Sequence, residues 1–234
     1  LWNKNVAQYD TWLVWYRDME TTINSWWEIV LKDFAQSWYN LICGKNWKYN
    51  WWNNIYSWYS CNDFLLNNCV KGKCFDFKNN ITAFTRKWTE LPETWGTYSL
   101  WINPWIISWA SSFSTLMQRY NANFFIDKGY IKFKDDDGTY LSGNINFNTN
   151  QRYNIALTIN SDWTKKMYIN WVNIASWWNY IQNVIFSVFL LWWRRYSWNW
   201  WLMQDFFNWQ IDEVRIYNRA LSDDEVKALY NATN

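Results

Sequence analysis

The chain has 234 residues, with 22 Lys plus Arg against 20 Asp plus Glu, a net charge of +2, half of its residues hydrophobic, and no histidine. Charge this balanced and scattered leaves no electrostatic footprint for nucleic acid or for an anionic membrane surface, and the missing imidazole removes the commonest general base and the commonest metal ligand. The length suits one domain with a sizeable core and long loops.

In chain order, residues 1–12 read as an N-terminal tail or linker and residues 13–234 as one domain. The sequence opens at Leu1 with no initiator methionine and no signal-like apolar segment, so an export or anchoring region upstream is expected to have been removed or lost. Residues 13–16 form the first predicted strand. Residues 20–70, rich in Asn, Ser and Trp, read as long loops. Four cysteines, Cys43, Cys61, Cys69 and Cys74, crowd this stretch and its end. Without a C-x-x-C pair or a histidine they make a poor zinc site and are better read as disulfide partners, in any of three connectivities. Disulfides place the protein in an oxidising compartment, secreted or at the cell surface.

Short β runs then follow at residues 73–77, 97–103, 114–119, 124–126, 130–133, 152–159, 166–169, 172–175, 184–191 and 210–217. Breaks every ten to fifteen residues or so are the pattern of a sandwich or barrel. The longest apolar run, residues 184–193, is about half of what a bilayer span needs and reads as a buried strand. One helix is signalled at residues 222–230. Ser222 can cap it, Glu225 completes a capping box, Leu221 and Val226 fit a hydrophobic staple, and Asp223 and Asp224 sit at the positive end of the helix dipole.

Tryptophan is the anomaly: 25 Trp accompany only 6 Gly, where average usage is roughly 7% Gly. Many of these Trp follow Ser, Asn or Asp, which are glycine's usual neighbours in turns. In Met167-Tyr168-Ile169-Asn170-Trp171-Val172-Asn173-Ile174, two alternating segments flank a dipeptide placed to close a hairpin. A type I′ turn wants Asn-Gly there, because its second central residue needs a positive φ that a bulky aromatic does not adopt comfortably. Trp163 in Ser161-Asp162-Trp163-Thr164 and Trp209 in Phe207-Asn208-Trp209-Gln210 occupy equivalent places. Nearly all of the tryptophans are therefore expected to stand for glycine encoded by UGA. Trp101 is the exception, since it lies in an apolar strand where a large aromatic belongs in a core. The competing reading is a Trp-rich surface that stacks on sugars, but such residues belong on exposed strands and loop tips, not at positive-φ turn positions.

The segment Phe207-Asn208-Trp209-Gln210-Ile211-Asp212-Glu213-Val214-Arg215-Ile216-Tyr217-Asn218-Arg219-Ala220-Leu221-Ser222 closely resembles the end of laminin G-like domains of the concanavalin A-like lectin/glucanase superfamily. In that pattern positions 209 and 171 are glycine. Leu13-Val14-Trp15-Tyr16-Arg17-Asp18 resembles the opening strand, although Arg17 stands where the family often has an aromatic. Phe75-Asp76-Phe77 and Leu100-Trp101-Ile102-Asn103-Pro104 resemble inner strands. The resemblance implies an all-β fold, a two-sheet antiparallel jelly-roll sandwich with a short C-terminal helix, and roles in adhesion and in carbohydrate or protein binding.

Strand alternation places Asp212 on the face of Val214 and Ile216, and a carboxylate at such a position needs a partner. The resemblance implies calcium as a structural cofactor, with Asp18 and Asp76 as co-ligands to Asp212; the plainer expectation is that Asp212 bonds backbone amides at a strand end. Asp135-Asp136-Asp137-Gly138 lacks the spaced oxygens of an EF-hand and reads as a polar hairpin turn. Asn80-Ile81-Thr82 and Asn231-Ala232-Thr233 match a glycosylation sequon that has meaning only in a glycosylating host. No paired carboxylates, G-x-S-x-G or phosphate-cradling glycine loop marks an enzyme; Glu20, Glu28, Glu90, Glu93, Glu213 and Glu225 are dispersed. The expectation is a non-catalytic extracellular module that binds a glycan or a surface protein and does not insert into membrane. A glycoside hydrolase of the same superfamily and a structural domain of a pilin-like surface protein are the alternatives.

Overall fold

Runs rich in β-branched and aromatic residues, with proline nearly absent, form strands along the chain. The computed structural model describes nineteen strands and one helix, with residues 69, 104, 129, 145, 147–152, 160–163, 170–171 and 218–222 between them. In order, the strands are β1 (Leu13–Arg17), β2 (Thr22–Ser25), β3 (Glu28–Leu31), β4 (Leu41–Lys45), β5 (Leu65–Asn67), β6 (Lys73–Asp76), β7 (Ile81–Thr85), β8 (Gly96–Asn103), β9 (Phe113–Arg119) and β10 (Ala122–Asp127). They continue with β11 (Tyr130–Lys134), β12 (Tyr140–Asn144), β13 (Tyr153–Ile159), β14 (Thr164–Ile169), β15 (Val172–Trp178), β16 (Phe189–Leu191), β17 (Arg194–Arg195), β18 (Met203–Gln204) and β19 (Gln210–Tyr217), and the helix α1 (Asp223–Thr233) ends the described chain.

The strands pair antiparallel into two large sheets that make a sandwich. One sheet runs β15-β14-β13-β8-β19-β6-β5, with β1 added against β19; the other runs β12-β11-β10-β9-β16-β7-β4-β3-β2. Gly143 of β12 lies directly under the Ile174 side chain of β15, so a side chain at 143 would collide where the sheets meet at that margin. Residues 20–70, read from sequence as loops, contain β2, β3, β4 and β5. The four-residue segments of β2 and β3 are too short to signal themselves, and their register from Thr22↔Leu31 to Ser25↔Glu28 supplies the ordering that local sequence does not.

Every residue of β13 and of β19 is buried, which a strand achieves only when both of its faces are covered. One face looks into the sandwich. The other lies under α1, where Val226, Leu229 and Leu221 pack with Ala156, Tyr168 and Tyr217. Burying aliphatic side chains of this size contributes about 1.5–3 kcal/mol each, enough to hold a single helix against a sheet. The predicted capping box is formed: the Glu225 amide donates to Ser222 Oγ at 3.3 Å and the Ser222 amide donates to Glu225 Oε2 at 2.8 Å.

One sequence expectation fails in β19. The register with β8 passes from Asp212↔Trp101 to Arg215↔Ser99, so one extra residue enters β19 as a bulge, with Glu213 at φ 49°. The bulge reverses the side-chain phase. Asp212 faces the same side as Trp101, Arg215 and Tyr217, the side α1 covers, and not the side of Val214 and Ile216.

Candidate functional site

The face under α1 gathers most of the polar chemistry among the described residues. Thr97 Oγ1 donates to the Arg219 carbonyl at 2.9 Å and accepts from the Leu221 amide at 2.8 Å, so β8 fixes the approach of the chain to the helix. Trp101, 3% exposed, donates from Nε1 to Thr233 Oγ1 at 3.0 Å and stacks on Tyr230 with centroids 5.3 Å apart. Trp101 is thus the buried aromatic that its strand pattern predicts, sealed by the last turn of the helix.

Beside the helix N-terminus lies a hollow of about 310 Å³ whose walls include Thr158, Asn160, Thr164, Lys166, Arg219 and Asp223. Lys166 Nζ sits 2.8 Å from Asp223 Oδ1, to which the Tyr168 hydroxyl also donates at 2.7 Å. Arg219 grips Glu225 with two bonds, 2.6 and 2.7 Å. Hydrogen bonding from Lys166 and Tyr168 holds the Asp223 carboxyl below the usual carboxylate range, and Arg219 does the same for Glu225. Burial, together with the bond to Asp223, pushes the Tyr168 phenol well above its ordinary value, so it stays neutral. The two cations face two anions. The lining offers hydroxyl, amide and paired-charge groups with no excess of either sign, which suits a neutral polar ligand better than an ion.

At the other end of the same sheet face, Asp212 is 3% exposed and its Oδ1 accepts from the Glu213 amide at 2.8 Å. Arg215 Nη2 pairs with Glu213 Oε2 at 2.7 Å, with both side chains buried. Asp76 lies on the neighbouring strand opposite Gln210, two residues from Asp212. Asp18 lies outside the described residues. Among the described residues no group of three His, Cys, Asp or Glu is placed to hold a metal ion. Asp212 and Asp76 are thus the described members of the expected set Asp18, Asp76 and Asp212, with Asp212 Oδ1 already accepting from a backbone amide. Sequence reasoning missed the Glu213–Arg215 pair. Its signal, a Glu-x-Arg inside an apolar strand, is legible only once the bulge is known.

Cys69 and Cys74 form a disulfide with a Cα–Cα distance of 5.4 Å. Cys43 lies on β4, and Cys61 lies outside the described residues. The bridge joins the segment between β5 and β6 to β6 itself, the strand that also carries Asp76. Asp135-Asp136-Asp137, Asn80, Glu20, Glu90, Glu93 and Trp209 also fall outside the described residues.

A family model of the concanavalin A-like lectin/glucanases superfamily, of the laminin G type, matches residues 78–227. The chain belongs to this superfamily. A comparison with curated proteins finds no match to this superfamily member. Solved structures share its fold at low identity. The ligand binding domain of botulinum neurotoxin serotype D in complex with N-acetylneuraminic acid aligns with a TM-score of 0.64 at 13% identity, over 97% of this chain and 52% of that one. Domain 4 of a GH43 extracellular arabinanase from Geobacillus stearothermophilus, in complex with arabinotriose, gives 0.64 at 19%, over 93% of this chain and 98% of that one. The binding domain of Paraclostridial Mosquitocidal Protein 1 gives 0.62 at 16%, over 96% and 53%. The chain spans about half the length of the two toxin domains and nearly all of the arabinanase domain.

Proposed function

We propose that this concanavalin A-like domain is a non-catalytic binding module, secreted or displayed at the cell surface, that recognises carbohydrate or a surface protein. One observation carries the reading. Wherever the partners of its carboxylates are defined, they are structural: Asp223 with Lys166 and Tyr168, Glu225 with Arg219 and the helix cap, Glu213 with Arg215, Asp127 with Lys132, and Asp212 and Asp162 with backbone amides. A glycosidase needs two carboxyl groups facing a sugar with their protons free to move. These groups are engaged in holding the fold, including Asp223 and Glu225, which both line the hollow beside α1 but are paired with Lys166, Tyr168 and Arg219.

A binding module needs shape and polar contacts only, and the hollow beside α1 supplies both. Two further points support the reading: the arabinanase domain and the neurotoxin domain that share this fold were crystallised with arabinotriose and N-acetylneuraminic acid, and among the described residues no helix is long and apolar enough to cross a membrane. A glycan array probed with the purified chain tests the proposal. Retention on a defined set of glycans is the expected result. Release of shortened glycans from the array would instead establish a hydrolase, and capture of a surface protein with no glycan retained would narrow the reading to adhesion.

A further inference from the structure

Three hairpin turns among the described residues carry a residue at clearly positive φ. Asp127 pairs with Tyr130, so residues 128 and 129 close the β10–β11 hairpin, and Gly129 takes φ 79°. Ile169 pairs with Val172, so Asn170 and Trp171 close β14–β15, with φ 45° and 62°. Both signs are positive, which defines the I′ geometry, and Asn170 locks it: its Oδ1 accepts from the Asn154 amide and its own amide donates to the Asn154 carbonyl, each at 2.9 Å. In the β13–β14 turn the Trp163 amide donates to the Asn160 carbonyl and the Asn160 amide donates to the Thr164 carbonyl. That is a turn followed by one left-handed residue, and Trp163 is that residue at φ 69°.

All three positions ask for the one residue without a Cβ. One has it, and two have the bulkiest side chain of the twenty. Neither indole is placed where burial repays the strain: Trp171 is 38% exposed and Trp163 is only half-buried. Trp101, by contrast, lies in extended β8 and is sealed under α1. For these three tryptophans, fit follows backbone geometry.

We propose that Trp163 and Trp171, and with them nearly all of the chain's 25 tryptophans apart from Trp101, are glycine in the natural protein, specified by UGA codons that its host reads as glycine. Trp177 and Trp178 end β15 in strand conformation, so turn geometry does not reach them; they join the proposal through sequence alone, Trp177 because it follows Ser176, a usual neighbour of glycine, and Trp178 as the second member of a Trp-Trp pair. The consequence for binding is direct. Trp171 before β15 and Trp177 and Trp178 at its far end, at 38%, 50% and 66% exposure, would otherwise place exposed aromatic surface at both ends of that strand. With glycine there that surface is gone, and the Tyr230 ring, which the Trp171 indole approaches to 4.4 Å, is left with an open face.

The test reads the gene and the protein together. Codons 163, 171 and 101 are sequenced, and peptides covering them are weighed by mass spectrometry on protein from its own host. The proposal expects TGA at 163 and 171 with glycine in the peptide, and TGG at 101 with tryptophan. TGG at 163 or 171, or a tryptophan-bearing peptide at either place whatever the codon, overturns it.

Discussion

At Asn170-Trp171 the backbone demands a residue that the side chain contradicts, and that conflict has a measurable size. A left-handed conformation costs an L-residue with a Cβ about 1–2 kcal/mol. Trp171→Gly is therefore expected to stabilise the fold by about 1 kcal/mol in urea denaturation, after allowing for glycine's greater unfolded-state entropy; destabilisation by a similar amount would show that the indole holds the turn through Tyr230. Trp101→Gly should do the opposite, at a cost of about 3–5 kcal/mol, because it empties a buried site beneath α1. Asp212 shows the limit of sequence reading at this scale. Alternation along residues 210–217 assigns it to the face of Val214, but a single inserted residue at Glu213, held by the Asp212 carboxylate and the Arg215 guanidinium, turns it to the other side. With its carboxylate engaged by a backbone amide, chelation by EDTA should leave the melting temperature unchanged. A fall of several degrees, restored by calcium, would put an ion at Asp212 and Asp76.

The start of helix α1 was legible, and for a local reason: the signals that start a helix lie within a few residues of one another, whereas its end runs to Thr233, three residues past the expected one. Ser222 and Glu225 bond reciprocally, and Leu221 and Val226 are both buried, as the motif requires. Ser222→Ala should cost about 1 kcal/mol. Leu229→Ala, which opens the interface with β13 and β14, should cost about 2–5 kcal/mol. The helix also makes stability depend on acid. Asp223 and Glu225 have carboxyls held below their unfolded values of about 4, so what they contribute is complete above that pH and is lost as pH falls through their folded values. Asp223 is the more exposed and contributes less. The melting temperature should stay level down to about pH 5 and drop below about pH 4, with a smaller drop in Glu225→Gln; an equal drop in that variant would exclude Glu225 as a cause. The strands β2 to β5 were not legible, because their segments of three to five residues are ordered by partners far along the chain.

For the whole molecule, the sandwich could be read because the apolar strand runs from residue 97 to 217 are long and regular, and because the last strand and its capped helix carry a distinctive run of residues. The ligand could not be read, since recognition by such a fold depends on loops and faces that strand periodicity does not encode. The central claim is that this domain holds a glycan or a surface protein and leaves it intact. Incubating the protein with each glycan it retains, and following the glycan by mass spectrometry over many hours, tests that claim most directly. A binding module returns the bound glycan at its original mass; accumulation of a shorter sugar with a new reducing end, lost on mutation of a carboxylate, would mark a hydrolase instead.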